Sequence, residues 1–196
     1  MPITELAILE ALPPHTADSA PIQTFLSDVA LQQAAWSGHP LLFFTLAHDD
    51  ARTTVVLVSG WADVPAHDAW IASEPNQALL RRAGALLTVR ELLHLDIAFE
   101  TLPHSVQRMT WEVLSRAQAD SVDAERGQLG AAEPGSGVWE GAGRVLGGGD
   151  GDIHRLRGYV RVGPQEEREI TQRLAKGDGP RAQELRRLAV RDGDSP

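Results

Sequence analysis

The chain is 196 residues long and acidic, with 18 Lys and Arg against 27 Asp and Glu and a net charge of −9. Hydrophobic residues at 42% and charged residues at 23% suffice for a buried core in one or two domains. That charge, with Lys176 the sole lysine, argues against a protein that coats nucleic-acid phosphates. The absence of cysteine excludes disulfides, thiolate nucleophiles and Cys-ligated zinc or iron–sulfur sites. No apolar run reaches the roughly 18 residues of a membrane span, and Met1–Glu5 lacks the basic and apolar regions of a signal peptide. A cytoplasmic protein with neither membrane nor nucleic acid as partner is expected.

In chain order, Ile3–Leu12 is an apolar strand closed by Pro13-Pro14. Asp18 or Ser19 then caps a helix with Pro21 in its first turn, and Ile22, Phe25, Leu26, Val29 and Trp36 form its apolar stripe. Gly38 stops it. Leu41–Ala47 and Thr53–Val58 read as strands around a His48-Asp49-Asp50 turn. Asp63 caps the next helix, which Ser73-Glu74-Pro75 interrupts and restarts, and Thr88–Phe99 is a further strand. The order β-α-β-β-α-β is that of a ferredoxin-like unit.

Charge and texture change near Leu102–Ser105. Residues 1–104 carry 12 acids and 4 arginines, whereas 105–196 carry 15 acids and 14 Lys and Arg. Two domains are expected, 1–104 and 105–196. In the second, strands are predicted at Arg108–Leu114, Val138–Leu146 and His154–Val162, with a weak helix at Ala117–Leu129. Pro164–Val190 reads as helix interrupted at 177–180, followed by a polar tail, which leaves this part without a last strand. Val58–Val64 and Leu156–Val162 align at an offset of 98, glycine on glycine and Trp61 on Tyr159, a sign of internal repetition.

The segment Val55–Leu80, with Ser59-Gly60-Trp61, His67, Trp70, Ile71, Ser73 and Asn76-Gln77, resembles the antibiotic-biosynthesis-monooxygenase-like family, as does Leu92–Asp96. The resemblance implies an α+β dimeric α/β-barrel built from ferredoxin-like units, here two copies in one chain with the second degenerate. It also implies a small-molecule tailoring enzyme of secondary metabolism. Such an enzyme would act on an aromatic or polyketide-like substrate in the barrel by cofactor-free monooxygenation or by proton transfer such as decarboxylation, cyclisation or aldol chemistry. The family's haem-degrading members carry an iron-ligating histidine ten residues after a helix tryptophan; here that position is Leu80. The polyketide-oxidising members carry an asparagine four before that tryptophan and a tyrosine six after; here these are Ala66 and Asn76. No cofactor is therefore expected.

Histidine is the natural acid–base group near neutrality. Alternation along the strand places Arg90, Leu92, His94 and Asp96 on one face and the more apolar Val89, Glu91, Leu93, Leu95 and Ile97 on the other. The second face is expected to pack on helices, which points His94 into the barrel. His94 and Asp96 are the catalytic candidates; Arg90, Trp70, His67, Phe43, His48 and Trp61 are candidates for binding substrate. The alternative for His94 is a hydrogen-bonded interior histidine, and for the protein a non-catalytic binding or scaffold role. No metal-ligand spacing occurs, and the glycine-rich stretch 147–152 lacks the phosphate-loop and calcium-loop patterns. The expected partners are a hydrophobic small molecule and, for each half, the other half of the chain, with a homodimer possible.

Overall fold

The computed structural model describes residues 1–114, 137–147, 153–176 and 182–190. The predicted helix at 117–129, the stretch 148–152, the break at 177–180 and the tail from 191 lie outside the described residues. The first half runs β1 (Ile3–Ala11), α1 (Ala20–Ser37), β2 (Leu42–Leu46), β3 (Thr54–Trp61), α2 (Val64–Ala72), α3 (Glu74–Ala83) and β4 (Leu87–Leu95). After a 3-10 turn at Phe99–Thr101 follow β5 (Arg108–Leu114), β6 (Val138–Arg144), β7 (Ile153–Tyr159), α4 (Pro164–Lys176) and β8 (Ala182–Arg187).

Local chemistry sets the helix boundaries. Asp63 accepts a hydrogen bond from Ala66 N, and Ser73 accepts one from Asn76 N, so each caps the helix after it. Gly38 ends α1 at φ 77°, a left-handed conformation that glycine adopts without Cβ strain.

All eight strands form one antiparallel sheet in the order β4-β1-β3-β2-β8-β5-β7-β6. The two halves join where β2 pairs with β8 through Phe44–Arg187, Thr45–Arg186 and Leu46–Leu185. At the other seam β4 and β6 meet at Leu95–Val145, where Asp96 N donates to Arg144 O (2.9 Å) and Leu146 N donates to His94 O (2.8 Å). The sheet thus curls into a barrel. Its architecture is α+β, with the ferredoxin-like strand order of a dimeric α/β-barrel fold.

The predicted absence of a last strand in the second half is wrong. Ala182–Arg187 is β8, which takes the position beside β5 that β4 takes beside β1. Its charged sequence suits a solvated helix, but two waiting strand edges outweigh that local preference. β6 runs unbroken through Gly141 and Gly143. A Cβ at Gly143 would sit 2.6 Å from Asp96 O, and one at Gly141 would sit 2.7 Å from the Trp139 ring. These glycines permit close approach at the seam.

The barrel interior is a packed core. Leu6, Leu42, Phe44, Val56, Val58, Leu95, Met109, Trp111, Trp139, Leu156 and Leu185 are buried there in one cluster. Phe99, Leu102 and Val106 from the segment joining the halves belong to the same cluster. A second core lies on the outer face of the first half, where Ile3, Ala7, Leu9, Val55 and Leu57 pack under Ile22, Phe25 and Leu26 of α1, Trp70 of α2 and Leu79 of α3.

Candidate active site between helices and sheet

The second core is interrupted by a pocket of about 180 Å³. Ala7, Leu9 and Leu57 of the sheet, Phe25 and Val29 of α1, Trp70 of α2 and Leu79 and Ala83 of α3 supply its apolar walls. Its polar end is formed by Glu5, Gln33 and His67, with Asn76 also on the lining. The sheet places Glu5 there because alternate residues of β1 share a face, and Ile3, Ala7 and Leu9 are in the core on that face.

Glu5 is buried, and three donors converge on its Oε2: Ser59 Oγ at 2.6 Å, Trp61 Nε1 at 2.8 Å and Gln33 Nε2 at 3.2 Å. Such a cluster suits the acceptor-only carboxylate. Oε1 faces His67 Nε2 at 3.5 Å, and His67 Nδ1 lies 2.6 Å from His94 Nε2. In this second contact one ring donates and the other accepts, as the tautomers dictate. Trp61 packs against the His67 ring with centroids 4.6 Å apart. His67 is buried on α2, while His94 is only half-buried. Burial pushes the His67 imidazole below its usual range; the Glu5 carboxylate opposes that shift and His94 adds to it. The result is a chain of acid–base groups from the polar end of an apolar pocket toward the surface.

The expectation that His94 points into the barrel is overturned. His94 meets His67 on the helix-packed face, whereas Leu93 and Leu95 belong with the barrel core. Two physical facts defeated the alternation argument. Both faces of this sheet are covered by apolar cores, so the more apolar face does not identify the helix side. The β1–β4 register also shifts between Ile8–Glu91 and Leu9–Val89, leaving Arg90 as an extra residue. Arg90 is exposed and pairs with Glu10 outside the pocket.

Of the other candidates, Trp70 lines the pocket, and Trp61 holds Glu5 without lining it. Phe43 is buried in the helix-side core, and His48 is exposed in the turn after β2. Asp96 lies past the end of β4 at the barrel seam. None of these last three lines the pocket. Glu5, Ser59 and Gln33 were missed as site residues. The available signal was a lone carboxylate among apolar residues on one face of a strand, which folding tolerates only with partners.

Among the described residues, the second half does not repeat the site. Glu5 pairs with Ser59 and Ala7 with Leu57 across β1 and β3; two and four residues along from Arg108–Tyr159, the corresponding pairs of β5 and β7 are Thr110–Arg157 and Glu112–Arg155. An ion-pair network replaces the apolar floor, with Arg155–Glu112 at 3.1 Å, Arg157–Glu140 at 3.1 Å and Arg157–Glu169 at 3.2 Å.

No family model and no curated protein matches the sequence. Among solved structures, the chain is similar to a presumed monooxygenase from Fusobacterium nucleatum, with TM-score 0.65, 11% identity and coverage of 98% of this chain and 94% of that one. It is also similar to a presumed monooxygenase from Lactobacillus acidophilus (TM-score 0.55, 16% identity, 95% and 93% covered). A chlorite dismutase variant from Candidatus Nitrospira defluvii matches too (TM-score 0.58, 12% identity, 96% and 92% covered). These likenesses show the fold, the dimeric α/β-barrel architecture of ferredoxin-like units.

A haem does not fit the pocket. Both His67 ring nitrogens are engaged, by Glu5 and His94, and Leu80 offers no donor. A volume of about 180 Å³ is also small beside the roughly 300–1,000 Å³ of common ligand sites. Among the described residues no group of three or more His, Asp or Glu side chains is placed to hold a metal ion. No described helix is long and apolar enough to cross a membrane.

Proposed function

We propose that the protein is a small-molecule tailoring enzyme that takes a proton from a hydrophobic, aromatic or polyketide-derived substrate in the helix–sheet pocket of residues 1–104. The observation that carries this reading is the Glu5–His67–His94 chain, which runs from two buried groups at the polar end of an otherwise apolar pocket to a half-buried one. A hydroxyl or activated C–H at that end gives its proton to the Glu5–His67 pair. His67 shares it through its 2.6 Å contact with His94, which is open enough to exchange with water. Burial keeps His67 neutral at neutral pH, the form that accepts a proton. Dry apolar walls strengthen the interaction between a substrate anion and the imidazolium that forms.

Cofactor-free oxygenation is the outcome favoured by the likeness to presumed monooxygenases. An activated methylene then loses two hydrogens and gains one oxygen from O₂, and the second oxygen leaves as water. Proton-transfer chemistry without oxygen uses the same first step. The two halves are read as copies of one unit, 1–104 and 105–196, the second having exchanged its site for ion pairs. The repeated strand order and the Gly60–Trp61 and Gly158–Tyr159 correspondence support that reading.

Oxygen uptake and product formation with an anthrone or quinol substrate test the proposal. Glu5→Gln and His67→Gln should each lower turnover by about 100-fold or more, the usual weight of general acid–base catalysis. Conversion that persists under nitrogen assigns the proton-transfer branch. Unchanged turnover in a folded Glu5→Gln protein would remove the chain from the chemistry.

A further inference from the structure

The mouth of the pocket carries information about its ligand. Six large hydrophobic side chains are left exposed among the described residues, and three of them, Leu80 (42%), Val89 (47%) and Leu92 (37%), line this one pocket. Scattered exposed hydrophobics need no explanation, but a cluster at a cavity mouth marks a binding surface. These three come from two elements, with Leu80 on α3 and Val89 and Leu92 on either side of the Arg90 irregularity in β4. That irregularity turns both β4 side chains to the pocket; strict alternation would set residues 89 and 92 on opposite faces.

The inner end selects by charge. Three donors already occupy Glu5 Oε2, whereas Oε1 has only the 3.5 Å contact to His67 among the described residues and retains acceptor capacity. A neutral hydroxyl can donate there. A carboxylate or phosphate would set a second anion beside a buried one, at a large electrostatic cost. The volume of about 180 Å³ admits a small ring system, so a larger ligand must project through the rim.

We infer that the site takes a neutral, hydroxyl-headed aromatic bearing an apolar tail, inserted head first, with the tail lying over Leu80, Val89 and Leu92. This deepens the proposed function and rests on its assignment of the pocket. It differs in fixing the head as uncharged and the tail as outside the cavity.

Calorimetric titration of the purified protein with 4-methylphenol, 4-butylphenol and 4-hexylphenol tests the tail, and 4-butylbenzoate tests the head. Affinity should rise about twofold per added methylene, less than the roughly fourfold of full burial because the rim covers only one side of the chain. 4-Butylbenzoate should bind at least about tenfold more weakly than 4-butylphenol. Leu92→Asp should flatten the series, and Val89→Ser should do so in part, which guards against a variant that fails to fold.

A flat series in the wild type with 4-methylphenol still binding overturns the tail and leaves the proposed function standing. Equal binding of the benzoate overturns the neutral head. Failure of every phenol to bind removes both this inference and the pocket assignment beneath it. A dimer in sedimentation that Leu92→Asp dissolves, together with a flat series, would show that a second copy covers the rim and likewise overturns the inference.

Discussion

Glu5 is a carboxylate in a strand that is otherwise almost wholly apolar on the same face, and folding retains it by spending Ser59, Trp61 and Gln33 on one oxygen. Glu5→Ala removes the acceptor that all three donors share, leaving Gln33 Nε2 and Trp61 Nε1 only Ser59 Oγ at 3.0 and 3.1 Å, and should destabilise by about 3 kcal/mol; Glu5→Gln keeps an acceptor oxygen and should cost clearly less. Denaturant midpoints decide the order, and equal losses would mean that the polar cluster contributes only bulk. His67 adds a pH dependence. Its folded pKa lies below the unfolded value, so the unfolded chain binds more protons as pH falls. The stability contribution is complete above about pH 6.5 and is lost as pH drops below it. The difference in unfolding free energy between wild type and His67→Gln should therefore narrow or reverse from pH 7.5 to pH 5. Tyr159 gives the opposite sign. This sole tyrosine is fully buried, its hydroxyl has no hydrogen-bond partner among the described residues, and burial, with Glu169 next, pushes it up to about 12. Its share of stability is present below the unfolded value near 10 and is lost as pH rises. Phenolate absorbance should stay silent through pH 10 in the native protein and titrate near 10 in denaturant.

At the scale of elements, the caps at Asp63 and Ser73 and the stop at Gly38 were legible in the sequence because each is a short-range device whose partners lie within a few residues. The face of β4 was not legible. It depends on an extra residue at Arg90 and on an apolar core on each face of the sheet, neither visible in a period-2 pattern. β8 was hidden for a related reason, since Ala182–Arg187 is a strand only because β2 and β5 offer edges on both sides. Of the site itself, His67, Trp70 and His94 could be singled out, but their meeting point could not. Glu5 was passed over as a strand residue. The seam also reaches the site, because His94 O accepts from Leu146 N and Gly143 abuts the backbone of Asp96, two residues after His94. A Cβ at Gly143 would press on Asp96 backbone, which cannot swing aside, whereas one at Gly60 meets the Phe99 side chain at 2.5 Å. Both alanine variants should lose stability, by about 1–3 kcal/mol, the overpacking range. Only Gly143→Ala should also displace His94 and reduce turnover. Equal turnover losses in the two variants would argue that the seam has no special link to the site.

For the whole molecule, the barrel interior acts as the shared core of the two halves, and the pocket sits outside it, against helices of the first half alone. The candidate site and the shared core therefore occupy opposite faces of the same sheet. The second half supplies Met109, Trp111, Trp139, Leu156 and Leu185 to the core against which β1–β4 are held. Leu185 is the sharpest probe of that arrangement. It is fully buried, lies on β8 between β5 and β2, and pairs with Leu46 of one half and Met109 of the other. Leu185→Asp places a carboxylate in an apolar cluster, so it should cost at least about 4 kcal/mol, more than the removal of packing alone. Because the core is shared, the loss should fall on both halves together. Fluorescence from tryptophans of both halves and far-ultraviolet circular dichroism should follow one transition in wild type and variant, at a much lower denaturant concentration in the variant. A variant in which β1–β4 keep their wild-type midpoint while the rest unfolds would show that the halves are independent units that merely touch.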